Sequence, residues 1–334
     1  MPAPRVDRRS YRAGDSEPRG RGYSTGGVGQ RVGTELDRLA RNSLPRIHRS
    51  NLPKWRGAGV ASSVLGHLQM EFVMRLPHGL FGWVDLMSTD VAKARSFYEG
   101  LFGWTSIDTP TPMGPVYTTF QKDGKRVAGM GPQPADMAAA GVPSMWSSYV
   151  IVDSVDDVLK AADAAGGAVL MPGIDVMTQG RMAMIADPSG GVLGLWQPGD
   201  HDGAELFNAP GALAWNELQS RGLESALTFY HAVFGWRWER MEGDFDYYVG
   251  HLDTKDSEDT SNCGAMTIPD VAPAEMPSTW MVYFAVPDCD DWLSKAQELG
   301  GEVFMPAMDM GPGRFGGITD PTGAMVFLGA FAES

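Results

Sequence analysis

Two periodicities, one of about two residues and one of about 3.6, alternate along this chain, and their alternation predicts its elements. Residues 79–87 are apolar and aromatic, and Ser88, Thr89 and Asp90 close the run, the pattern of a strand ending at a helix N-cap. Ala94, Phe97, Tyr98 and Leu101 then fall at i, i+3, i+4 and i+7, one buried helix stripe, and Gly103 supplies the stop. The stripe returns at Val155, Val158, Leu159 and Ala162, at Ala226, Phe229, Tyr230 and Val233, and at Cys289, Trp292, Leu293 and Ala296. Each helix follows one strand-like run and precedes about three more, so the chain carries four strand–helix–strand–strand–strand units.

The first unit continues with short strands at 104–107, 116–121 and 126–130, separated by turns that include Lys122-Asp123-Gly124-Lys125, and 132–143 reads as a linker. In the second, 145–152 is a strand, 155–165 the helix and Gly166-Gly167 its stop. Strands follow at 168–171 and 181–186, and Asp187-Pro188-Ser189-Gly190 has the order of a type I turn leading into a strand at 192–196. After a polar connector, 197–210, the pattern restarts. Gly79, Trp83, Leu86, Ser88, Ala94, Phe97, Tyr98, Phe102, Gly103 and Trp104 recur 132 residues later as Gly211, Trp215, Leu218, Ser220, Ala226, Phe229, Tyr230, Phe234, Gly235 and Trp236. The fourth unit repeats the second through Pro-Ser-x-Trp at Pro143 and Pro277, Met-Pro at Met171 and Met305, Gly-Arg at Gly180 and Gly313, and Asp-Pro-x-Gly at Asp187 and Asp320. The internal order is A, B, A′, B′.

With 334 residues and 43% hydrophobic content, the chain suffices for two ordinary cores. Its net charge of −14 hides an asymmetry: residues 1–76 hold 14 Lys+Arg against 6 Asp+Glu, and the remainder 13 against 35. The acidic part is not expected to seek nucleic acid or an anionic membrane. The basic part, rich in Arg, Gly and Ser, reads as a disordered extension, or as sequence upstream of a start at Met70 or Met74; the alternative is a basic arm for a polyanion. Cys263 and Cys289 make no disulfide framework, and no run of about 18 apolar residues exists, so the expected compartment is the cytoplasm.

A first strand ending in Trp-x-Asp/Glu-Leu, a helix ending in Phe-Tyr-x-x-x-Phe-Gly-Trp and a closing hairpin on Gly-Arg and Asp-Pro-x-Gly resemble the vicinal-oxygen-chelate superfamily of glyoxalases, bleomycin-resistance proteins and extradiol dioxygenases. Among these, the duplicated glyoxalase-like proteins of actinobacteria, often called hydroxylases, are most similar. The resemblance implies an α+β fold of four βαβββ units forming two curled-sheet domains, expected at 77–199 and 208–331 behind the extension at 1–76. It also implies a cleft in each domain.

Metal-dependent members hold a divalent cation with His, Glu or Gln on facing strands. The positions that align with those ligands are Trp83 and Trp215, Ser147 and Met281, Gly194 and Phe327, and the stretches 126–130 and 262–266, none of which supplies His or a carboxylate. No cofactor is therefore expected. If the strands curl, alternation sets Trp83, Trp146, Trp215 and Trp280 near the cleft walls, unless they are core; Met145, Met182, Met184 and Met281 are their possible neighbours. Asn216 and Glu217 stand where the first half has Val84 and Asp85. Arg181 and Arg314 either grip a ligand carboxylate or carbonyl in a two-pronged bond or pair with Asp175 and Asp309. His251 and His201 are acid–base candidates or satisfied rim histidines, His231 is read as solvent-facing, and Asp187 and Asp320 as turn residues.

The expected function is binding of a planar or carbonyl-bearing small molecule, without a metal, by a protein able to act as a monomer. The alternative is a glyoxalase-like lyase or dioxygenase with a displaced metal site that uses His251 or Glu217. A third reading fills the clefts with side chains and leaves a partner-binding scaffold.

Overall fold

Each strand–helix–strand–strand–strand pass folds onto the next to make one eight-stranded sheet per half. The computed structural model describes residues 75–111, 114–242, 246–253, 260–269 and 272–332, so the basic extension lies almost wholly outside the described residues. The first half contains β1 (Phe81–Ser88), α1 (Val91–Phe102), β2 (Thr105–Thr109), β3 (Tyr117–Lys122), β4 (Lys125–Pro132), α2 (Ala135–Ala139), β5 (Met145–Ile151), α3 (Val155–Ala164), β6 (Ala168–Val176), β7 (Gly180–Ala186) and β8 (Val192–Pro198). The second contains β9 (Leu213–Ser220), α4 (Leu223–Phe234), β10 (Arg237–Arg240), β11 (Tyr247–His251), β12 (Ser261–Thr267), β13 (Thr279–Ala285), α5 (Cys289–Glu298), β14 (Glu302–Met310), β15 (Gly313–Thr319) and β16 (Met325–Phe331).

The strand orders are β2-β3-β4-β1-β5-β8-β7-β6 and β10-β11-β12-β9-β13-β16-β15-β14. The opening strands of two units pair antiparallel at the centre, β1 with β5 and β9 with β13, and each lies parallel to the last strand of its own unit. The helices start where the pattern predicts. Asp90, Ser154 and Asp288 cap α1, α3 and α5 by accepting from the amides of Lys93, Asp157 and Asp291. Gly103 and Gly235 end α1 and α4 with φ of 66° and 74°.

Two details differ from the sequence expectation. The linker 132–143 contains the short helix α2. Strand β6 runs to Val176 instead of stopping at Met171, because at a sheet edge Pro172 and Gly173 are absorbed in a register shift between Met171 and Ile174.

The core explains the repeated aromatic residues. One buried cluster joins α1 with β1 and β4 of the first half to α5 and the β13, β15 and β16 strands of the second. A second joins α3 and its strands to α4, Trp236 and Trp280. Each of these two cores under the helices thus draws on both halves. Reciprocal bonds lock the join: Trp104 Nε1 donates to Gly211 O at 2.7 Å, and Trp236 Nε1 to Gly79 O at 2.9 Å. Asn262 adds Nδ2 to Gly79 O at 2.9 Å and accepts from Phe81 N at 3.1 Å. Asp187 holds its turn through Ser189 N and Gly191 N and also accepts from Tyr230 Oη of the other half at 2.8 Å.

Candidate functional site

The helices cover one face of each sheet, and the other face carries a second cluster of aromatic and Met side chains. Along β1, Val84 and Leu86 join the helical core, so Trp83 and Asp85 lie on the face away from the helices. The register brings Asp85 opposite Gly129 and Ser147, Trp83 opposite Tyr149, and Tyr149 opposite Gly194. On this floor Trp83 Nε1 donates to Asp85 Oδ1 at 2.9 Å and Tyr117 Oη donates to the same oxygen at 2.5 Å. Gly129 makes that contact possible, because a Cβ there would lie 1.9 Å from both Asp85 Oδ1 and the Tyr117 hydroxyl. Burial pushes the Asp85 carboxyl up to about 6, against the opposing pull of bonds from Tyr117, Trp83 and Tyr149.

The second sheet repeats the arrangement with a longer acid. Tyr283 Oη donates to Glu217 Oε1 at 3.0 Å and Gln219 Nε2 to the same oxygen at 3.2 Å, while Trp215 Nε1 donates to Tyr247 Oη at 3.0 Å. A Cβ on Gly264 would lie 2.0 Å from the Tyr247 hydroxyl. Burial raises the Glu217 pKa, and bonds from Gln219, Tyr283 and Tyr247 oppose it. The walls differ: Trp196, Met182 and Met184 in the first cleft, Met281, Met305, Phe315 and Phe327 in the second.

The faces away from the helices carry Trp83, Trp215 and Glu217 of the residues expected at the clefts, and most others lie elsewhere. Trp146 pairs with Leu86 and Trp280 with Leu218, both core-facing, so these two indoles lie on the helical side. There they donate to Tyr98 Oη at 2.8 Å and Tyr230 Oη at 2.7 Å. Asn216, next to Trp215, points the opposite way and accepts from Ser148 Oγ of the first half at 2.6 Å. Arg181 and Arg314 alternate onto the helical face, where each binds two carboxylates, Asp175 with Asp156 and Asp309 with Asp290. These exposed ion pairs are screened by water, so Arg181→Ala and Arg314→Ala are expected to leave both the unfolding midpoint and ligand affinity nearly unchanged by differential scanning calorimetry and titration.

His251 sits on the edge hairpin of β10 and β11, its Nε2 3.4 Å from Glu239 and its Nδ1 3.3 Å from Thr260 Oγ1. His231 is exposed on α4. His201 is buried against Trp83. Sequence reasoning passed over Asp85, Tyr117, Tyr149, Tyr247 and Tyr283 as site residues. The signal was the recurrence of Trp-x-Asp/Glu on the first strand of each half; the tyrosines come from other strands and meet the acid only through pairing.

The aligned positions Trp83, Ser147, Gly194, Trp215, Met281 and Phe327 lie on the faces away from the helices, but each floor offers one carboxylate already engaged by indole or phenol donors. Among the described residues no group of three or more His, Cys, Asp or Glu is disposed to hold a metal ion. This donor set does not fit a divalent cation, which needs several fixed N or O ligands.

The sequence model of the Glyoxalase/Bleomycin resistance protein/Dioxygenase superfamily matches residues 80–194 and 212–328. A putative glyoxylase, CFP32 of Mycobacterium bovis, is 40% identical over 249 residues, covering 74% of this chain and 93% of its own. The anthracycline biosynthesis protein DnrV of Streptomyces peucetius is 36% identical over 264 residues, covering 75% and 92%. Two solved structures share the fold. The Mn(II)-bound glyoxalase of Novosphingobium aromaticivorans has a TM-score of 0.51 at 15% identity, covering 76% of this chain and 82% of that one. The 2,3-dioxygenase LapB of Pseudomonas sp. KL28 has 0.53 at 12%, covering 76% and 93%. Among the described residues no helix is long and apolar enough to cross a membrane.

Proposed function

Because the chain belongs to the Glyoxalase/Bleomycin resistance protein/Dioxygenase superfamily, whose model matches both of its halves, we propose that it binds a planar, carbonyl- or hydroxyl-bearing small molecule in these clefts without a metal ion. One observation carries the reading. Each floor holds a carboxylate, half-buried in Asp85 and buried in Glu217, with an indole and two phenols, Asp85 with Trp83, Tyr117 and Tyr149, and Glu217 with Trp215, Tyr247 and Tyr283. A carboxylate accepts from a ligand hydroxyl, a phenol donates to a carbonyl oxygen, and aromatic and thioether walls stack on a planar ring. The name of the DnrV relative supports this class, since an anthracycline is a planar molecule with hydroxyl and carbonyl groups. The acidic chain favours such a ligand over a polyanion, and we read it as a cytoplasmic protein competent as a monomer.

Elemental analysis of untagged protein purified without chelator is expected to find negligible Mn, Fe, Co, Ni, Cu and Zn. Tryptophan fluorescence is expected to be quenched saturably by 1,8-dihydroxyanthraquinone, before and after EDTA treatment. Near-stoichiometric metal, or quenching lost on chelation, would sink the metal-free reading; absence of quenching would sink the binding reading.

A second reading, proton transfer next to a carbonyl as in a lyase, is favoured by the Asp85 carboxyl standing at about 6 in hydrogen-bond contact with Tyr117. It requires deuterium from solvent to enter the ligand at the carbon beside the carbonyl, at a rate that Asp85→Asn abolishes.

A further inference from the structure

The two faces away from the helices come from one repeat, but their central positions carry side chains of different size. Gly194 of β8 stands where β16 has Phe327, and Ser147 of β5 where β13 has Met281, around the matching tyrosines Tyr149 and Tyr283. Leu170, Ile174 and Met182 likewise stand where β14 and β15 have Phe304, Met308 and Phe315. On the second face these side chains close over one another. The Phe327 ring stacks on Tyr283 with centroids 4.6 Å apart at 13°, and Phe304 meets Phe327 edge-on at 5.4 Å. Phe304 lies across Gly317, whose Cβ would stand 2.3 Å from that ring. Glu217, Met281, Tyr283, Phe315 and Phe327 are all buried.

The first face carries aliphatic and sulfur side chains instead, and several of them meet water. Leu170 is 56% exposed, Ile174 44% and Val192 39%, and Asp85, Ser147, Met182 and Met184 are half-buried. Pairing sets Ile174 opposite Met182, and Val192 opposite Ala186, two places along from Met184 and Gly194, so Ile174 and Val192 share the face of Met182 and Met184. The connector between the sheets is strapped over the Trp83 end of this face. There Ala204 N donates to Gly82 O at 2.7 Å and Glu205 N to Arg126 O at 2.8 Å, and His201, Ala204 and Phe207 pack around Trp83 and Trp196. Leu170 and Ile174 on β6, and Val192 at the start of β8, stay in contact with water.

Exposed apolar surface of this kind marks a site for a ligand or partner. The second face shows which chemistry suits it, because there the chain seats aromatic rings at the same positions of the repeat. We propose that the first face is the chain's one ligand site, with the fused aromatic rings of the ligand lying on β5 to β8 where Phe304, Phe315 and Phe327 lie in the second half, and that the second face is closed by those phenylalanines. The inference rests on the small-molecule reading above and narrows it to one of the two faces.

The test titrates the full chain calorimetrically with 1,8-dihydroxyanthraquinone and uses the repeat as its own control. Wild type is expected to bind one molecule per chain, a result that needs no variant to fold. Val192 and Met325 hold the same position in the two halves, each exposed on the face away from the helices. Val192→Asp and Met325→Asp therefore place the same charge on one face or the other without entering a core. Val192→Asp is expected to weaken binding at least tenfold in Kd, because the ligand's rings would cover a charge. Met325→Asp is expected to change Kd less than about twofold, and both unfolding midpoints to stay close to wild type. Leu170→Asp, at the most exposed of these positions, is expected to weaken binding as Val192→Asp does and replaces it should that variant not fold. If wild type binds no quinone, the small-molecule reading fails and this inference with it. Two molecules per chain, a loss of affinity in Met325→Asp as large as in Val192→Asp, or unchanged affinity in both Val192→Asp and Leu170→Asp would overturn the assignment to the first face alone.

Discussion

Trp236→Ala is expected to destabilise the protein by about 3–5 kcal/mol, the usual cost of emptying a large aromatic site in a core. Trp236 is fully buried, its ring centroid lies 5.4 Å from Phe81, 4.9 Å from Phe234 and 5.9 Å from Trp280, and its Nε1 bonds to Gly79 O in the other half. The loss therefore falls on the join between halves as well as on a core. Because each core draws on both halves, the variant is expected to unfold in one transition at a lower denaturant midpoint, with no plateau for a surviving half. Trp236→Phe keeps most of the burial and leaves Gly79 O its bond from Asn262, so its cost should be about 1–2 kcal/mol. A Trp236→Ala midpoint equal to wild type, or a biphasic transition with one half intact, would contradict this account of the join.

Asp85→Asn is expected to act in the opposite sense on stability while weakening ligand binding at the first cleft. The Asp85 carboxyl, ordinarily near 3.8, stands at about 6 in the folded protein because burial penalises its charge. The folded state thus holds a proton that the unfolded chain releases at lower pH. Stability is full below the unfolded value, falls as pH rises from about 4 to about 6, and stays lower by about 3 kcal/mol at neutral pH. Asparagine carries no charge to desolvate and still presents an oxygen to Trp83 and Tyr117. The variant should therefore be more stable at pH 7 by up to about 3 kcal/mol, with a flatter pH profile between 4 and 6. Its first-cleft affinity for the dihydroxyanthraquinone should fall at least tenfold, the loss of a charged acceptor being worth more than about 1.4 kcal/mol. A carboxylate kept at a cost in stability fits a binding or catalytic residue better than a structural one. If Asp85→Asn is less stable at pH 7 and binds as before, Asp85 is a structural residue.

The candidate site was legible in part, and its errors have one cause. Trp83, Trp215 and Glu217 lie on the helix-free faces, and their strands recur in sequence with the same phase. Trp146 and Trp280 were assigned to the wrong face because alternation within β5 or β13 does not say which phase faces the cleft; only pairing of Trp146 with Leu86 and Trp280 with Leu218 decides it. Tyr117 and Tyr247 meet their acids across a parallel strand that presents Gly129 and Gly264, contacts between residues far apart in the chain. His201 read as a residue of a polar connector, and its burial against Trp83 depends on where that connector is strapped.

The amino-acid sequence by itself determined the four units, their duplication, the helix limits and the superfamily, because these follow from local periodicity, capping residues and repetition at a fixed offset. The tertiary structure alone decided which face each strand turns to the cleft, that Trp104 and Trp236 tie the halves reciprocally, and that two acids with raised pKa lie among tyrosines. Those outcomes depend on register between distant strands and on burial from water, and both arise only when the sheets close over their helices.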